Sequence, residues 1–588
     1  MTLPALLTLV VVIGAIALLV TERLPAAVAM IGAVVVLLVF GVVTPAEALG
    51  GFSNPAPFTV AALYVIARGV EKTGMIQPML ARGLREARGV HGALARLLVP
   101  VTAMSALFNN TPIVALLTPQ VEGWARRTAR APSRFLLPLS YAAILGGTLT
   151  AVGTSTTLVV SGMMQEAGLE PMRLFDITPW SAPLVVIGVG YLILLAPRLL
   201  PERRRTFEEL EEPGRGFMAG MRVEAGGAVE GRTVEEAGLR DLPGVFLTEV
   251  ERGDEVIAPA TPETLLKRDD RLIFVGRAEE VAELGQSRGL RYDEHEHAVD
   301  FHAAGHTWFE AVVGPQSRLV GETLKTADFR SHYQAAVVGI HRAGASLRGK
   351  LGSVSLRAGD TLLLLTDEGF RSRWRERSDF LLIARMGGLV PANPAQVGRL
   401  ALILGGMVAL LATGVLPILH GVLAAAFLLV ATGVLTPGDA RRAVDFDVIL
   451  LIASAFGVAA AMRTTGLAEV GAGAILTAAD PLGRPGAVAA IIVATLLLTE
   501  LITNNAAAVL VYPLALGIAG EVGIDPVHAS LVVAVAASAS FLTPIGYQTN
   551  TMVWGPGGYR IGDYLRLGAP LTLLVIAWLL AATHLYAG

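Results

Sequence analysis

Residues 107–114 read LFNNTPIV, and residues 501–509 read LITNNAAAV. Two adjacent asparagines sit inside otherwise apolar sequence at both places. A carboxamide moved into hydrocarbon without a hydrogen-bond partner costs roughly 4–8 kcal/mol on a cyclohexane scale. Paired asparagines beside proline or small residues are therefore poorly placed to face lipid. The pattern predicts that each pair breaks a helix at membrane depth, where the opened backbone lines a cavity.

The flanking sequence supplies the membrane. The chain has 588 residues, 53% hydrophobic and 16% charged, with a mean hydropathy of +0.60. Soluble domains carry about 25% charged residues. The apolar excess falls in residues 1–200 and 394–588, and the charge concentrates between them. That reads as membrane half, soluble insert, membrane half. A net charge of −3 gives no basis for nucleic-acid binding. With no cysteine, the chain can form no disulfide, thiolate zinc site or iron–sulfur cluster. The N-terminal run lacks a basic n-region and an A-x-A cleavage site, and reads as the first span.

Apolar runs near the spanning length of about 20 residues occupy 3–20, 25–43 and 56–75. The first asparagine pair lies within 92–118. The run 135–160 contains ILGGTLTAVGTSTTLVV, too rich in glycine and threonine for an uninterrupted helix, and 177–199 follows. Arg82, Arg85, Arg88 and Arg96 precede the asparagine segment, and Arg126, Arg127, Arg130 and Arg134 follow it. By the positive-inside rule both flanks are cytoplasmic. The segment must then enter and leave on one side, as a re-entrant hairpin with the asparagines near its tip; the alternative is a full span whose asparagine pair bonds a neighbouring helix.

The second half has apolar runs at 397–416, 421–435, 445–466, 487–516 with the second pair, 528–554 and 568–587. Landmarks recur in one order. GVVTPAEAL at 41–49 answers GVLTPGDAR at 433–441, Asn109-Asn110 answers Asn504-Asn505, and Gly153 answers Gly546. The offsets, 433 − 41 = 392, 504 − 109 = 395 and 546 − 153 = 393, are nearly constant, which predicts an internal repeat. Five spans and a hairpin per half make an odd number of crossings, so the repeats must be inverted. The loop 517–527 has Glu521 and Asp525 and no base, which places the second hairpin's entrance outside. Inverted repeats with two broken elements each are the signature of a secondary transporter with a midplane site. Pro112 and Pro544 are expected to break helices, since each lacks a backbone donor.

Residues 206–385 alternate short strand patterns, such as RLIFVG at 271–276 and TLLLLTD at 361–367, with Gly and Asp turns. GRTVEEAGLR at 231–240 answers GETLKTADFR at 321–330, and KRDDRLIFVG at 267–276 answers LRAGDTLLLLT at 356–366. The insert therefore reads as two small duplicated α+β domains, 206–298 and 299–385, between membrane repeats 1–205 and 386–588. It follows Arg203 to Arg205, so it is expected in the cytoplasm. It has no P-loop and no G-x-G-x-x-G after a strand. His295, His297, His302 and His306 read as a solvated polar linker in preference to a metal site.

With these residues in view, both membrane halves resemble the divalent anion/sodium symporter family of the ion transporter superfamily. That family carries a Ser-Asn-Thr motif at each hairpin tip. The first tip here reads Asn109-Asn110-Thr111. The second, TELITNN, resembles T-E-x-x-S-N-T, which puts Thr503, Asn504 and Asn505 on the motif. GGTLTAVGT at 146–154 resembles the G-G-T-x-T-x-x-G-T of the family's unwound fifth helix. FLTPIGYQTN at 541–550 is similar to its counterpart, with Asn550 on a family asparagine. The chain departs from the pattern with Asn for Ser at the first tip and Asn for Thr at the second. Ser155-Thr156-Thr157 stands where the family has Pro-Pro-Asn. These departures argue against simply carrying over a dicarboxylate. The insert copies resemble TrkA-C (RCK-C) domains, a pairing similar to sulfate-type members.

The resemblance implies a polytopic α-helical membrane carrier, not an enzyme, that couples sodium to symport of a divalent anion. Sulfate is the first expectation and a C4-dicarboxylate the alternative. A ligand-gated ion channel is a further alternative, because TrkA-C domains also accompany potassium channels, but no T-V-G-Y-G-like filter is present. Substrate contacts are expected from Asn109, Asn110, Thr111, Gly153, Thr154, Thr503, Asn504, Asn505, Thr543 and Asn550. Sodium is expected at Asn110, Thr148, Thr150, Gly153, Asn505 and Gly546, since a hard cation takes oxygen ligands. No Lys or Arg lies in these segments, so amide and hydroxyl donors and helix N-termini are expected to hold the anion. Glu500, the one carboxylate beside a tip, is expected to lock its hairpin by hydrogen bonds, with tuning of the ion site as the alternative. The remaining expectations are the plasma (inner) membrane, a homodimer, a small cytosolic ligand on the insert, and no organic cofactor or nucleic acid.

Overall fold

The apolar runs form helices, and the helices stop where asparagine, glycine and proline cluster. The structure, a computed structural model, describes residues 2–586 apart from 22–23, 77–88, 129, 204–216, 240–244, 253–254, 258–259, 277–289, 293–306, 315–316, 343–344, 348–350, 368–369, 375–378, 386–393, 480 and 482. The four linker histidines, and Arg82, Arg85 and Arg88, lie outside the described residues.

The first half contains α1 (Leu3–Thr21), α2 (Ala26–Val39), the short α3 (Pro45–Leu49), α4 (Pro55–Thr73), α5 (Gly89–Ser105), α6 (Asn110–Arg127), α7 (Leu136–Gly147), α8 (Ser155–Glu166) and α9 (Thr178–Leu199). Two five-residue helices, α10 (Phe329–Tyr333) and α11 (Phe370–Trp374), belong to the insert. The second half contains α12 (Pro394–Ala412), α13 (Ile418–Ala431), α14 (Pro437–Ala443), α15 (Phe446–Thr464), α16 (Leu467–Ala479), α17 (Gly483–Leu501), α18 (Asn504–Val522), α19 (Pro526–Ser538), α20 (Gln548–Gly557) and α21 (Ile561–Tyr586). Among the described residues seven helices are long and apolar enough to cross a membrane, and four shorter ones are apolar. The outer faces of α1, α9, α12 and α13 expose large apolar side chains, among them Leu3, Val186, Leu402 and Phe427. Such a surface suits lipid and not water. The chain is a multi-pass membrane protein.

The recurring Thr-Pro-x-acid stretches have a local cause. Thr44 and Thr436 each close a capping box, with Glu47 and Asp439 at the third helical position and proline at the first. Asp439 also takes Lys72 Nζ at 2.7 Å, which ties α14 to α4 and holds its carboxyl below the usual aspartate range.

Three details differ from the sequence reading. Pro112 does not break a helix. It sits in the first turn of α6, where a missing N–H leaves no bond unmade, and the break is residues 106–109 before it. Pro544 does lie in a non-helical stretch, 539–547. The helix α16 has no counterpart in the apolar runs: Gly466, at φ 74°, ends one helix and admits a second immediately after it.

Packing crosses between the halves. In the first, α5 lies against α7; Gly146 allows this, because a Cβ there would be 2.8 Å from the Thr102 Cα. In the second, α17, α18 and α19 pack together. Then α8 rests on α18 and α19, and α20 rests on α6 and α7. Each half thus places one short helix against the other half's broken pair.

The insert holds two five-stranded antiparallel sheets. The first comprises β1 (Phe217–Val223), β2 (Val245–Arg252), β3 (Glu255–Ile257), β4 (Arg271–Gly276) and β5 (Leu290–Tyr292), ordered β3-β2-β4-β1-β5. The second comprises β6 (Thr307–Val313), β7 (Ala335–Arg342), β8 (Ala345–Ser346), β9 (Thr361–Thr366) and β10 (Phe380–Arg385), ordered β10-β6-β9-β7-β8. Read in reverse, that is the first order, strand for strand. The same brace recurs in both. Arg252 grips buried Asp270 and Arg342 grips buried Asp360, each across eighteen residues, and each arginine also donates to a backbone carbonyl. The second unit touches the membrane half at α20. A Cβ on Gly359 would lie 3.0 Å from the Trp554 ring, and one on Gly555 would lie 3.1 Å from the Gly359 carbonyl oxygen.

Candidate functional site

The two asparagine pairs stand at matching helix starts. α5 ends at Ser105 and α6 begins at Asn110. The buried Asn110 carboxamide is held at both ends: the Ser105 hydroxyl meets Oδ1, and Nδ2 donates to the Tyr547 hydroxyl at 2.7 Å. Thr111 donates to Gln548 Oε1 at 3.2 Å. Asn109 lies beside the Tyr64 phenol. In the second half Thr503 caps α18, accepting from the Ala506 amide at 3.4 Å. Asn504 donates to Thr156 Oγ1 at 2.7 Å, and Asn505 Oδ1 accepts from Ser155 at 3.1 Å and Thr156 at 3.3 Å.

Two further stretches are unwound. Residues 148–154 separate α7 from α8, and 539–547 separate α19 from α20. In the first, the Thr148 hydroxyl donates to the Leu145 carbonyl and the Thr150 hydroxyl to that of Ala106. Thr154 and Tyr547 then occupy equivalent places. Each is the residue before its helix, with φ/ψ of −141°/146° and −138°/134°, and their side-chain oxygens are 3.3 Å apart.

The second unwound stretch is wrapped around Glu500. Its Oε1 accepts from the Phe541 and Leu542 amides at 2.7 and 2.8 Å, and its Oε2 accepts from the Thr543 amide and hydroxyl, both at 2.9 Å. The Gly546 amide donates to the Thr543 hydroxyl at 3.1 Å. Asn550, fully buried in the first turn of α20, bonds Ser140 and the carbonyls of Ser540 and Thr543. It braces the stretch from behind and does not reach the tips.

Missing Cβ atoms let oxygen atoms approach the backbone closely at the glycines. A Cβ on Gly147 would lie 2.6 Å from Asn110 Oδ1, and one on Gly153 would lie 2.5 Å from the Gly147 carbonyl oxygen and 2.8 Å from that of Ser105. One on Gly546 would meet Ser540 Oγ, the Thr499 carbonyl oxygen at 2.9 Å and Glu500 Oε2 at 3.1 Å. Ser540 Oγ is buried and has no hydrogen-bond partner among the described residues. Oxygens clustered in this way are the ligand type that a hard cation takes. The cluster at Gly546 includes a carboxylate oxygen, and the one at Gly147 and Gly153 does not.

The structure therefore brings together Asn110, Thr111, Gly153, Thr154, Asn504, Asn505, Thr543 and Gly546, with Thr148, Thr150 and Thr503 on their flanks. Sequence reasoning missed Tyr547, Ser105, Ser155, Thr156 and Ser540. A signal existed for Tyr547: 547 − 154 = 393, the offset that also relates Gly153 to Gly546.

With that geometry in place, comparison with known proteins bears on the class of cargo. A family described as citrate transporter (CitMHS) matches residues 16–536. A Chlamydomonas reinhardtii protein named as a candidate sulfur deprivation response regulator is 36% identical, over 92% of this chain and 95% of its own length. An uncharacterized transporter of Synechocystis is 33% identical over 97% and 95%. Sodium/sulfate cotransporter 1 of Chlamydomonas reinhardtii is 26% identical over 91% and 84%.

Proposed function

The chain belongs to the citrate transporter family, and from that premise we propose that it is a secondary active carrier that moves sulfate across the membrane together with sodium. The observation that carries this reading is the meeting of both halves at one buried polar point, where Asn110, Thr154 and Asn504 surround the Tyr547 hydroxyl. Amide and hydroxyl donors from both tips can face one small oxyanion there. The tip and unwound segments contain no Lys or Arg, so the anion's charge would be offset by sodium at the adjoining oxygen clusters. Sodium would be held by Asn110 Oδ1 and the carbonyls of Ser105 and Gly147 on one side. On the other it would be held by Ser540 and the Thr499 carbonyl, in the stretch that Glu500 braces.

The same reading makes the two halves inverted repeats, 1–205 and 386–588, with helix pairs α5–α6 and α17–α18 as re-entrant hairpins. Alternating access would then be a rocking of one repeat's elements against the other around a fixed site. The insert, with TrkA-C-like units at 206–298 and 299–385, would lie in the cytoplasm of a homodimer in the plasma membrane. The names of the sodium/sulfate cotransporters favour sulfate. The family's description favours a second reading, a citrate or C4-dicarboxylate carrier.

Uptake into proteoliposomes separates the readings. Labelled sulfate, succinate and citrate are each offered with an inward sodium gradient, with sodium equal on both sides, and with choline instead. Sulfate accumulation that needs the sodium gradient is the expected result. Gradient-driven uptake of a carboxylate without sulfate would transfer the assignment to the second reading.

A further inference from the structure

Tyr547 breaks the likeness between the halves at their centre. It and Thr154 have the same place in the sequence repeat, the same backbone angles and the same position before a helix. One carries a short hydroxyl and the other a phenol. The Tyr547 ring is buried, and its hydroxyl extends from the second half to the tip of the first. There it receives an Asn110 N–H at 2.7 Å and lies 3.3 Å from the Thr154 hydroxyl, with the Asn504 carboxamide beside it. A phenol has one proton to donate and can accept two. Its oxygen therefore stands where the donors of both tips converge, and its ring fills the volume that a second threonine would leave open.

From this position we infer that Tyr547 determines the substrate specificity of the site; the inference rests on the carrier reading above. Its ring restricts the cavity to a compact tetrahedral oxyanion. Its hydroxyl turns from Asn110 to the bound anion and adds a donor to those of Asn110 and Thr154. A longer dicarboxylate needs the space that the ring occupies. The phenol acts on anion affinity directly, and on sodium only through its bond to Asn110 and the coupling between the two ions.

Two variants of the full-length protein test this, each checked for a single gel-filtration peak and a cooperative thermal transition. Tyr547→Phe keeps the ring and removes one charge-assisted donor; it should raise the KM for sulfate about tenfold or more. Tyr547→Thr removes the ring; succinate should begin to compete with sulfate, shifting the sulfate-to-succinate preference by about tenfold or more. If both variants keep the wild-type KM and preference, Tyr547 has no such role. If the wild type itself takes up no sulfate, the proposed function fails, and the inference is judged separately. Thermal stabilisation by sulfate, succinate and citrate is then compared between wild type and Tyr547→Thr. Larger anions must gain in the variant, and an unchanged pattern overturns the inference. Tyr547→Phe, nearly isosteric, decides the matter where Tyr547→Thr does not fold.

Discussion

At the residue scale, carboxamides and one carboxylate hold the backbone openings in place. Asn110 bonds to both Ser105 and Tyr547, and Asn505 accepts from Ser155 and Thr156. Asn110→Ala and Asn505→Ala should each abolish sodium-driven uptake, at least about a hundredfold, while the protein still folds. Normal transport at unchanged sodium dependence by either variant would show that the tips are not the site. Glu500 differs in kind. Its carboxylate accepts from three amides and from the Thr543 hydroxyl, which also reaches the Glu500 carbonyl at 3.3 Å. A buried donor left unsatisfied costs about 1–3 kcal/mol. Glu500→Ala should therefore lower the thermal midpoint strongly, and Glu500→Gln, which keeps one acceptor oxygen, should lower it less. An alanine variant as stable as wild type but insensitive to sodium would move Glu500 from brace to ion ligand. The asparagines were legible from sequence because paired carboxamides in apolar surroundings demand a reason. Tyr547 was not, because an aromatic residue in an apolar run reads as core, and only three-dimensional placement brings its hydroxyl to the opposite tip.

At the element scale, sequence located the breaks better than the helices between them. Glycine and threonine within 135–160 mark backbone that cannot stay helical, whereas the second unwound stretch was read from the family resemblance of 541–550 and from Pro544. The contact between insert and membrane half was not readable, since no local pattern specifies which surface turn meets which helix. It is also the contact through which the insert reaches the site, because α20 begins directly after Tyr547. A Cβ on Gly555 would lie 3.4 Å from the Thr361 Cβ. Disulfides join Cβ atoms about 3.5–4.5 Å apart. The chain has no cysteine of its own, so the double variant Gly555→Cys, Thr361→Cys should cross-link under mild oxidation, with a gel shift that reductant reverses. Two thiols that stay free under conditions that oxidise a control pair would show that this turn does not dock on α20. Where the bond forms, uptake before and after reduction reports whether α20 must move against the insert during transport.

At the scale of the whole molecule, the sequence showed a membrane protein in two halves around a polar duplication, because hydropathy and recurring motifs are properties of the chain itself. Sidedness is a different matter, since it depends on which loops stay in the cytoplasm. With inverted halves, Thr2→Cys and Leu585→Cys should react with an impermeant maleimide on intact, right-side-out cells, and Glu322→Cys in the insert only after permeabilisation. The insert then needs a reason to exist. The polar centre is built from α5–α8 and α17–α20, and none of its groups comes from residues 206–385. The insert nevertheless rests on Trp554 and Gly555, one helix length from Tyr547. A solute that binds its paired units and favours one arrangement of that contact would bias the carrier between its two states. Coupling of about 1–3 kcal/mol changes such a ratio some 5- to 150-fold. Replacing residues 206–385 by a flexible linker separates this role from scaffolding. If the insert senses, the shortened protein assembles and transports as before, and its rate no longer changes with the solutes on the insert side of the proteoliposome. If uptake and assembly are lost together, the insert is a scaffold for the membrane halves, and its contact with α20 is structural support.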